Sequence, residues 1–186
     1  TYEAWSQALR KYTDSETLKT EIPYWQGILN QISNPLILGN DLPLVCDSDT
    51  IHIELNPNLT QTLLHSVPQQ CRVQVLDVLL TAFLETMTFW TQKKSVSLHL
   101  EGYGRTQVDT QLDPTQTVGW FTSIYPVTLT KEDDDILRTL QRVKETRRSI
   151  PQRGIGYSVL RYLSPGVFDN NYNEVPIIGF NYLGNW

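Results

Sequence analysis

The residues best suited to chemistry lie at the end of an alternating stretch that runs from Ser95 to Glu101. Val96, Leu98 and Leu100 alternate with polar residues there, which predicts a strand with one face in the core and Glu101 on the other face. Glu101 would then stand at the carboxyl end of the strand, the edge at which ligands gather in open α/β sheets. A carboxylate in a cleft at such an edge can accept or donate a proton.

Several residues near Glu101 could assist its proton transfer. Arg105 follows four residues later and points to the same side if the extended path continues, where a guanidinium can serve as an electrophilic helper. Gly102 and Gly104 permit a close approach of backbone or substrate. His99 shares the face of Glu101, so a dyad is conceivable. The residue types alone leave two alternatives open, a structural ion pair between Glu101 and Arg105 and a strand histidine bonded to its neighbours.

Two further segments combine aromatic and polar residues. The segment 119–122, Gly-Trp-Phe-Thr, either shapes a channel wall or packs in the core. In the segment 180–184, Phe-Asn-Tyr-Leu-Gly, Asn181 and Tyr182 point in opposite directions if the strand is regular. Flanking glycines can make the strand irregular and bring both into one cavity. Local hydrogen bonding of Asn181 and packing of Tyr182 remain the alternatives.

Helices and strands alternate along the chain and must position these groups. Apolar periodicity, caps and breakers predict helices over Thr1–Tyr12, from a cap at Asp14 or Ser15 to Gln31 (interrupted or weakened at Pro23), Asn58–Ser66, Val73–Thr91 and Asp133–Arg148. Gly154–Leu163 is predicted to be a short helix or a turn. Strands are predicted over Thr50–Leu55, Ser95–Glu101, part of Thr117–Thr130, and Val175–Leu183, with a loop over Asn34–Pro43. Glu21 is expected to supply acidic charge early in its helix. This order predicts an α/β class fold (an α+β sandwich) with a mixed sheet packed with helices.

One polar stripe is predicted on the long helix Val73–Thr91, and the rest of its surface, including Trp90, is expected to be buried. The stripe consists of Gln74, Asp77, Thr81, Glu85 and Thr88.

Composition excludes several classes of protein. The 186 residues are 40% hydrophobic, enough for a core, and the net charge of -5 argues against binding nucleic acid or an anionic membrane. The scattered His52, His65 and His99 form no metal site, and Cys46 and Cys71 suit a reducing cytoplasm. Because the chain starts without methionine and ends close to a predicted strand, we expect it to be cut at both ends from a larger unit.

Five segments, taken in order, resemble the signature motifs of epimerization domains in nonribosomal peptide synthetases, which are close relatives of condensation domains. The family patterns DxLLxA, EGHGR, TVGWFTxxYP, PxxGxGY/F and FNYLG are similar to Asp77–Ala82, Glu101–Arg105, Thr117–Pro126, Pro151–Tyr157 and Phe180–Gly184. Two residues depart from the usual pattern: Tyr103 replaces a histidine, and Thr106 replaces a glutamate that often follows. Both departures concern local hydrogen bonding and leave Glu101 and Arg105 in place.

The resemblance implies a chloramphenicol-acetyltransferase-like fold of two lobes around a tunnel. Residues 1–186 would be a single domain, the C-terminal lobe, with the N-terminal lobe and the extreme C-terminus missing. The implied reaction is epimerization of the α-carbon of an aminoacyl or peptidyl residue. That residue is held as a thioester on the 4'-phosphopantetheine arm of a peptidyl carrier protein, with no cofactor bound directly. The implied partners also include the missing lobe and neighbouring synthetase modules, in the cytoplasm, without nucleic acid, membrane or metal.

The resemblance also implies roles for the candidate site residues. Glu101 matches the family's active-site glutamate and would be an acid/base. Arg105, Asn181 and Tyr182 match active-site positions and would orient Glu101 or hydrogen-bond the thioester and enolate. The family's HHxxxDG motif is absent from the chain, so we expect these 186 residues alone to be inactive.

Three other functions remain open at the level of sequence. A condensation domain, which forms an amide bond between two carrier-bound substrates, shares the fold, but the segment 144–151 contains nothing like the HQDxPFE pattern usual in that class. A non-catalytic docking lobe would need no acid/base. An unrelated acyltransferase that uses coenzyme A would need its own histidine motif.

Overall fold

The computed structural model describes residues 1–34, 46, 48–106, 108–109, 112–132, 135–168 and 176–184. The chain divides into two compact units: Thr1–Ser33, Val96–Leu129 and Arg148–Trp186 form unit 1, and Asn34–Ser95 and Thr130–Arg147 form unit 2. The helices are α1 (Tyr2–Tyr12), α2 (Glu16–Asn30), α3 (Pro57–Gln61), α4 (Val67–Cys71), α5 (Val75–Thr91), α6 (Ile136–Arg148) and α7 (Ile155–Leu163). The strands are β1 (Ser95–Gly102), β2 (Ser123–Thr130) and β3 (Gly179–Phe180).

A three-stranded mixed sheet carries the candidate site. Its order is β2-β1-β3, and β1 pairs with β3 in parallel, with His99 opposite Gly179 and Leu100 opposite Phe180. The Ser97 and Thr128 hydroxyls lie 2.7 Å apart, and those of Ser95 and Thr130 lie 3.0 Å apart, so β2 runs antiparallel to β1. The α/β class and the mixed sheet packed with helices are therefore confirmed. Strand β2 lies at an edge of the described sheet, where its proline costs no ladder hydrogen bond.

The core of unit 1 follows the alternation of β1. Val96, Leu98 and Leu100 are buried, as their spacing predicts, and Trp25 of α2 is fully buried. The Trp25 ring lies 6.1 Å from the ring centre of Tyr125 and 5.3 Å from that of Tyr157. These aromatic contacts join α2 to β2 and α7, so burial of one large side chain positions three elements.

Helix α2 confirms the predicted span but shows no interruption at proline. The Ser15 hydroxyl caps its start by accepting a hydrogen bond from the Leu18 amide, 3.2 Å away. Pro23 lies on the exposed side of a continuous helix. One face is buried on both sides of Pro23, and packing of that face compensates for the amide hydrogen bond that proline cannot donate.

Helix α5 of unit 2 buries Leu80, Leu84 and Met87 as expected, but its buried face also includes part of the predicted polar stripe. Asp77 and Thr81, placed by sequence on the polar stripe, are buried, whereas Phe89 and Trp90 are exposed. Asp77 accepts a hydrogen bond from the Gln74 amide at 2.8 Å and pairs with Arg147, so its charge is satisfied inside the unit. The hydroxyl of Thr81 donates to the Asp77 carbonyl. A polar side chain on α5 is therefore not necessarily exposed, because hydrogen-bond partners from the start of the helix and from α6 can satisfy it in the interior.

Three other predicted elements need correction. Thr50–Leu55 forms no strand with any described residue, because alternation selects a face but supplies no partner. The cap of α3 is Asn56, not Asn58, because Pro57 starts the helix and the Asn56 side chain accepts from the Leu59 amide. A π-helical turn over Thr62–Ser66 joins α3 to α4, so the helical region extends to Cys71.

The last predicted strand is much shorter in the structure, since only Gly179 and Phe180 of the described residues 176–184 pair. Residues 35–43 of the predicted loop lie outside the described residues. The predicted start of the helix Asp133–Arg148, at Asp133, and the predicted start of the last strand, at Val175, lie outside them as well.

No single helix in the described ranges is long and apolar enough to cross a membrane. Pro57–Cys71 and Val75–Thr91 pass that test only as a pair, and they are bent by 101° at the break between them.

Candidate active site at the carboxyl ends of β1 and β3

The structure joins two candidate residues that lie far apart in sequence. The register of β1 and β3, continued by one residue, sets Glu101 opposite Asn181. The Asn181 amide Nδ2 donates a hydrogen bond of 2.7 Å to Glu101 Oε2, and both residues are exposed to solvent. A strong hydrogen bond from an amide to a carboxylate fixes the orientation of that carboxylate. The end of the parallel strand pair therefore presents an oriented carboxylate to solvent.

The two glycines after Glu101 are required by close packing against β2. A Cβ atom on Gly102 would lie 2.6 Å from the Ser123 hydroxyl oxygen. Gly104 has a φ of +69°, and a Cβ there would collide with the Phe121 carbonyl. The segment 101–104 thus approaches the start of β2 more closely than side chains would allow, and this approach defines the path of the chain beyond Glu101.

Arg105 leaves the extended path and holds the loop before β2. Its Nη1 donates to the carbonyls of Pro114 and Thr117, the latter at 2.8 Å. The guanidinium carbon also lies 4.0 Å from the ring centre of Phe121, a close cation–π contact. Among the described residues, the hydrogen bonds of Arg105 go to this loop and none goes to Glu101. The expectation that Arg105 shares the side of Glu101 required the extended path to continue, and that condition is not met, because β1 ends at Gly102 and Gly104 has a positive φ.

In the part of the chain that the structure describes, neither Tyr182 nor His99 forms a hydrogen bond with Glu101. Tyr182 is partly exposed and lies two residues beyond β3, so the alternation of a regular strand does not govern its direction. The backbone amide of His99 donates to the Ile178 carbonyl at 2.7 Å. Burial lowers the pKa of the His99 imidazole, which keeps the ring neutral near pH 7. Of the four candidate catalytic residues, the structure brings Glu101 and Asn181 into contact.

The aromatic segment before β2 packs partly in the core, one of its two predicted uses, and partly lines a cavity. Phe121 is buried, 5.7 Å from the ring centre of Trp5 and 5.2 Å from that of Tyr2. Trp120 is 80% exposed and lines a cavity of about 220 Å³ within unit 1, together with residues of α1 and α7. One aromatic residue therefore belongs to the core, and its neighbour forms part of a cavity wall.

A buried carboxylate in unit 1 is the clearest feature that sequence reasoning missed. Glu21, expected to supply acidic charge early in α2, is 4% exposed. It accepts hydrogen bonds from the Tyr12 hydroxyl at 3.3 Å and the Trp25 indole nitrogen at 3.0 Å. Burial raises the pKa of Glu21, and burial together with Glu21 raises the pKa of Tyr12 to about 12. The four-residue spacing of Glu21 and Trp25 was the available signal, because it places both on one helix face.

Glycine in the segment 151–157 makes room for this buried carboxylate. A Cβ atom on Gly156 would overlap the Glu21 carboxylate. Gly154 has a φ of +86°, and a Cβ there would overlap the ring of Tyr125. The glycine pair of the PxxGxGY-like motif therefore packs the start of α7 onto α2 and β2.

Comparison with known families accounts for these motifs. The family model for the condensation domain matches residues 1–184. The chain belongs to the condensation domain family. It is 38% identical to a linear gramicidin synthase polypeptide of Brevibacillus parabrevis and 34% identical to surfactin synthase subunit 2 of Bacillus subtilis strain 168. Each match covers 98% of this chain but only 4% and 5% of the respective relative.

Solved structures of the family confirm the fold. The epimerization domain from the third module of tyrocidine synthetase B is 32% identical, with a TM-score of 0.84 over 98% of this chain and 43% of that one. A cyclization-docking bidomain from Sorangium cellulosum has a TM-score of 0.72 at 18% identity, which speaks for the fold alone. The fold and the expected relationship to epimerization and condensation domains are thus confirmed, and the chain spans less than half of the related epimerization structure.

Proposed function

We propose that this chain is the C-terminal lobe of an epimerization domain in a nonribosomal peptide synthetase. The hydrogen bond between Asn181 and Glu101 carries the proposal, because it presents an oriented carboxylate at the carboxyl edge of the sheet. The likeness to an epimerization domain at 32% identity supports it. The substrate is an aminoacyl or peptidyl thioester on the phosphopantetheine arm of a peptidyl carrier protein. The domain works in the cytoplasm beside the N-terminal lobe and neighbouring modules, and it binds no cofactor or metal directly.

The reaction needs a base on one face of the α-carbon and an acid on the other. A thioester acidifies the α-proton, and Glu101 is the acid/base of this lobe. The amide of Asn181 engages Oε2 of Glu101, which leaves Oε1 to exchange a proton with the substrate. The second group is the histidine of the HHxxxDG motif in the other lobe.

The negative charge that develops on the thioester oxygen needs hydrogen-bond donors. Tyr182 directly follows Asn181, the hydrogen-bond partner of Glu101, and its hydroxyl is the donor that we assign to the enolate. Arg105 contributes indirectly, because its hydrogen bonds to Pro114 and Thr117 shape the loop that leads into β2. It is therefore a positioning residue in this proposal.

Condensation is the second candidate function, because the matching family model describes condensation domains. It also uses a carrier-bound thioester, but it joins two substrates and need not remove an α-proton. The absence of an HQDxPFE-like pattern from the segment 144–151 favours epimerization. A lobe that only docks partners would leave the Glu101–Asn181 pair without a chemical role.

The test uses the intact domain that contains this chain, with one loaded carrier protein in deuterated water. We expect Glu101→Gln to slow deuterium incorporation at the α-carbon by about 100-fold or more, in the range lost with a general acid/base. Glu145→Gln is the matched control, since Glu145 is exposed on α6.

Unchanged exchange in Glu101→Gln would overturn the role of Glu101. If the wild-type domain exchanges no α-proton but forms an amide bond once a second loaded carrier is added, condensation is the function.

A further inference from the structure

Tyr103, which stands where the resembling motif usually has a histidine, is an exposed aromatic residue beside the candidate acid/base. Its side chain is 73% exposed, and its hydroxyl makes no hydrogen bond with any residue that the structure describes. We propose that this hydroxyl binds the carrier-bound substrate by donating a hydrogen bond to an amide carbonyl oxygen of the phosphopantetheine arm or of the peptidyl residue on it. The inference rests on the proposed function, which supplies such an arm as the ligand.

The direction of Tyr103 follows from the glycine before it. A Cβ atom on Gly102 would lie 3.1 Å from the ring of Tyr125, which is buried, so this Cβ position faces the core. Successive residues of an extended chain point to opposite sides, and Glu101 and Tyr103 therefore both point away from the core. The backbone first takes a positive φ at Gly104, after Tyr103. Because side chains two residues apart on one face stand about 6–7 Å apart, an extended arm that reaches Glu101 also passes within reach of Tyr103.

A guanidinium holds the Tyr103 ring. The guanidinium carbon of Arg105 lies 5.7 Å from the ring centre of Tyr103 and 4.0 Å from that of Phe121, which is buried. Cation–π attraction acts within about 6 Å of a ring centre. Arg105 is itself fixed by its hydrogen bonds to two backbone carbonyls of the loop before β2. The ring is thus held while its hydroxyl stays exposed, and a donor that is already placed loses little entropy when it binds a ligand.

The replacement of histidine by tyrosine indicates what this position supplies. Both side chains are flat rings that can lie against a guanidinium, and both can donate a polar hydrogen. Phenylalanine shares the ring but has no polar hydrogen. A loaded arm offers amide carbonyls and one thioester carbonyl as acceptors. Because the thioester oxygen is assigned to Tyr182 above, the amide carbonyls remain for Tyr103.

Binding of carrier proteins to the intact domain tests this contact without any reaction. The three probes are a carrier without its arm, a carrier with the phosphopantetheine arm, and a carrier whose arm holds a dipeptidyl thioester. We expect Tyr103→Phe to raise Kd for arm-bearing carrier by about three- to tenfold, the loss of one neutral hydrogen bond, and to leave Kd for the carrier without its arm unchanged.

The pattern among the three probes identifies the acceptor. An equal rise for both arm-bearing carriers assigns the acceptor to the arm, and a rise confined to the loaded carrier assigns it to the dipeptide. An unchanged Kd for both arm-bearing carriers would overturn the proposal. A rise that is as large for the carrier without its arm would overturn it as well, since the hydroxyl would then contact the carrier protein itself.

Matched variants separate the hydroxyl from the ring. Tyr103→His keeps a ring with a polar hydrogen and should leave Kd within about twofold of the wild-type value. Tyr162→Phe, which removes the hydroxyl of an exposed tyrosine on α7, is the control and should leave Kd unchanged. Amide exchange over residues 112–122 should be the same in Tyr103→Phe and the wild type, because the ring still contacts Arg105. Faster exchange there would make the effect structural and contradict the proposal.

Kinetics distinguish the substrate amide from the enolate. In the deuterium incorporation assay, loss of a contact made equally in the ground state and the transition state raises KM and leaves kcat within about twofold. A fall in kcat at unchanged KM would overturn the amide assignment, because the hydroxyl would then serve the enolate. If the wild-type domain exchanges no α-proton, the proposed reaction fails. The Kd comparison still decides the role of Tyr103 in that case, since condensation uses the same arm.

Discussion

At the residue scale, a single methyl group has opposite consequences at two glycines of unit 1. Gly156 leaves room for the buried Glu21 carboxylate, which its own Cβ would overlap. Gly27 lies inside α2, and a Cβ there would meet nothing within 4 Å. The first glycine is required by packing, whereas the second lowers helix stability through the entropy of the unfolded chain.

We therefore expect Gly156→Ala to destabilise the chain by about 2–3 kcal/mol, because the carboxylate must shift inside a packed core. Gly27→Ala should stabilise it by about 0.5–1 kcal/mol. Urea unfolding of both variants, followed by tryptophan fluorescence, measures these changes. A Gly156→Ala variant as stable as the wild type would show that Glu21 relocates without cost, contrary to the packing described.

At this scale, sequence reasoning predicted the exposed position of Glu101 but not the burial of Glu21. Glu101 follows an alternating strand, and its exposed position needs only the two-residue period. Glu21 has the residue type of a surface position, but Tyr12 and Trp25 bring hydrogen bonds to it in the core. Burial of a charge depends on partners, and partners depend on how helices pack.

At the element scale, the loop before β2 depends on one guanidinium. Arg105 joins the end of β1 to the carbonyls of Pro114 and Thr117 and lies over Phe121. A lysine at this position keeps the charge but lacks the planar group that bonds two carbonyls and stacks on a ring.

Arg105→Lys should therefore loosen the described loop residues 112–122 without unfolding the sheet. We expect amide exchange there to rise by about tenfold, which corresponds to a local loss of roughly 1.4 kcal/mol. Exchange should stay unchanged in the interior of β1. Arg142→Lys, on the exposed face of α6, is the control. Unchanged exchange over 112–122 in Arg105→Lys would show that the loop holds its path without these bonds.

Helix and strand limits were predictable wherever local signals suffice. Ser15, one of the two predicted caps, caps α2. Alternation defines β1, and Pro151 follows the end of α6, both as predicted. The prediction of a strand at Thr50–Leu55 was wrong for this chain. A strand needs a partner strand, and the pattern of one segment does not reveal whether a partner is present.

At the scale of the whole molecule, we expect the 186 residues alone to catalyse no α-proton exchange. Glu101 is exposed, so water is not excluded from the carboxylate, and the chain contains no HHxxxDG motif to supply the opposite acid/base.

The measurement compares this chain with the intact domain, each at equal concentration with the same loaded carrier protein in deuterated water. We expect deuterium incorporation by the chain to equal that of the carrier alone. Incorporation above that background by the isolated chain would mean that one lobe suffices for the chemistry.

The sequence by itself determined the family, most helices and the core face of β1, because these depend on local period and on motifs. It also placed Glu101, the predicted acid/base, at the end of β1. The tertiary structure decided which candidates meet. The parallel register of β1 and β3 sets Asn181 against Glu101, 80 residues away, and Gly104 turns Arg105 toward the loop before β2. Such contacts depend on strand register and on backbone turns with positive φ, and these arise only when distant segments pack together.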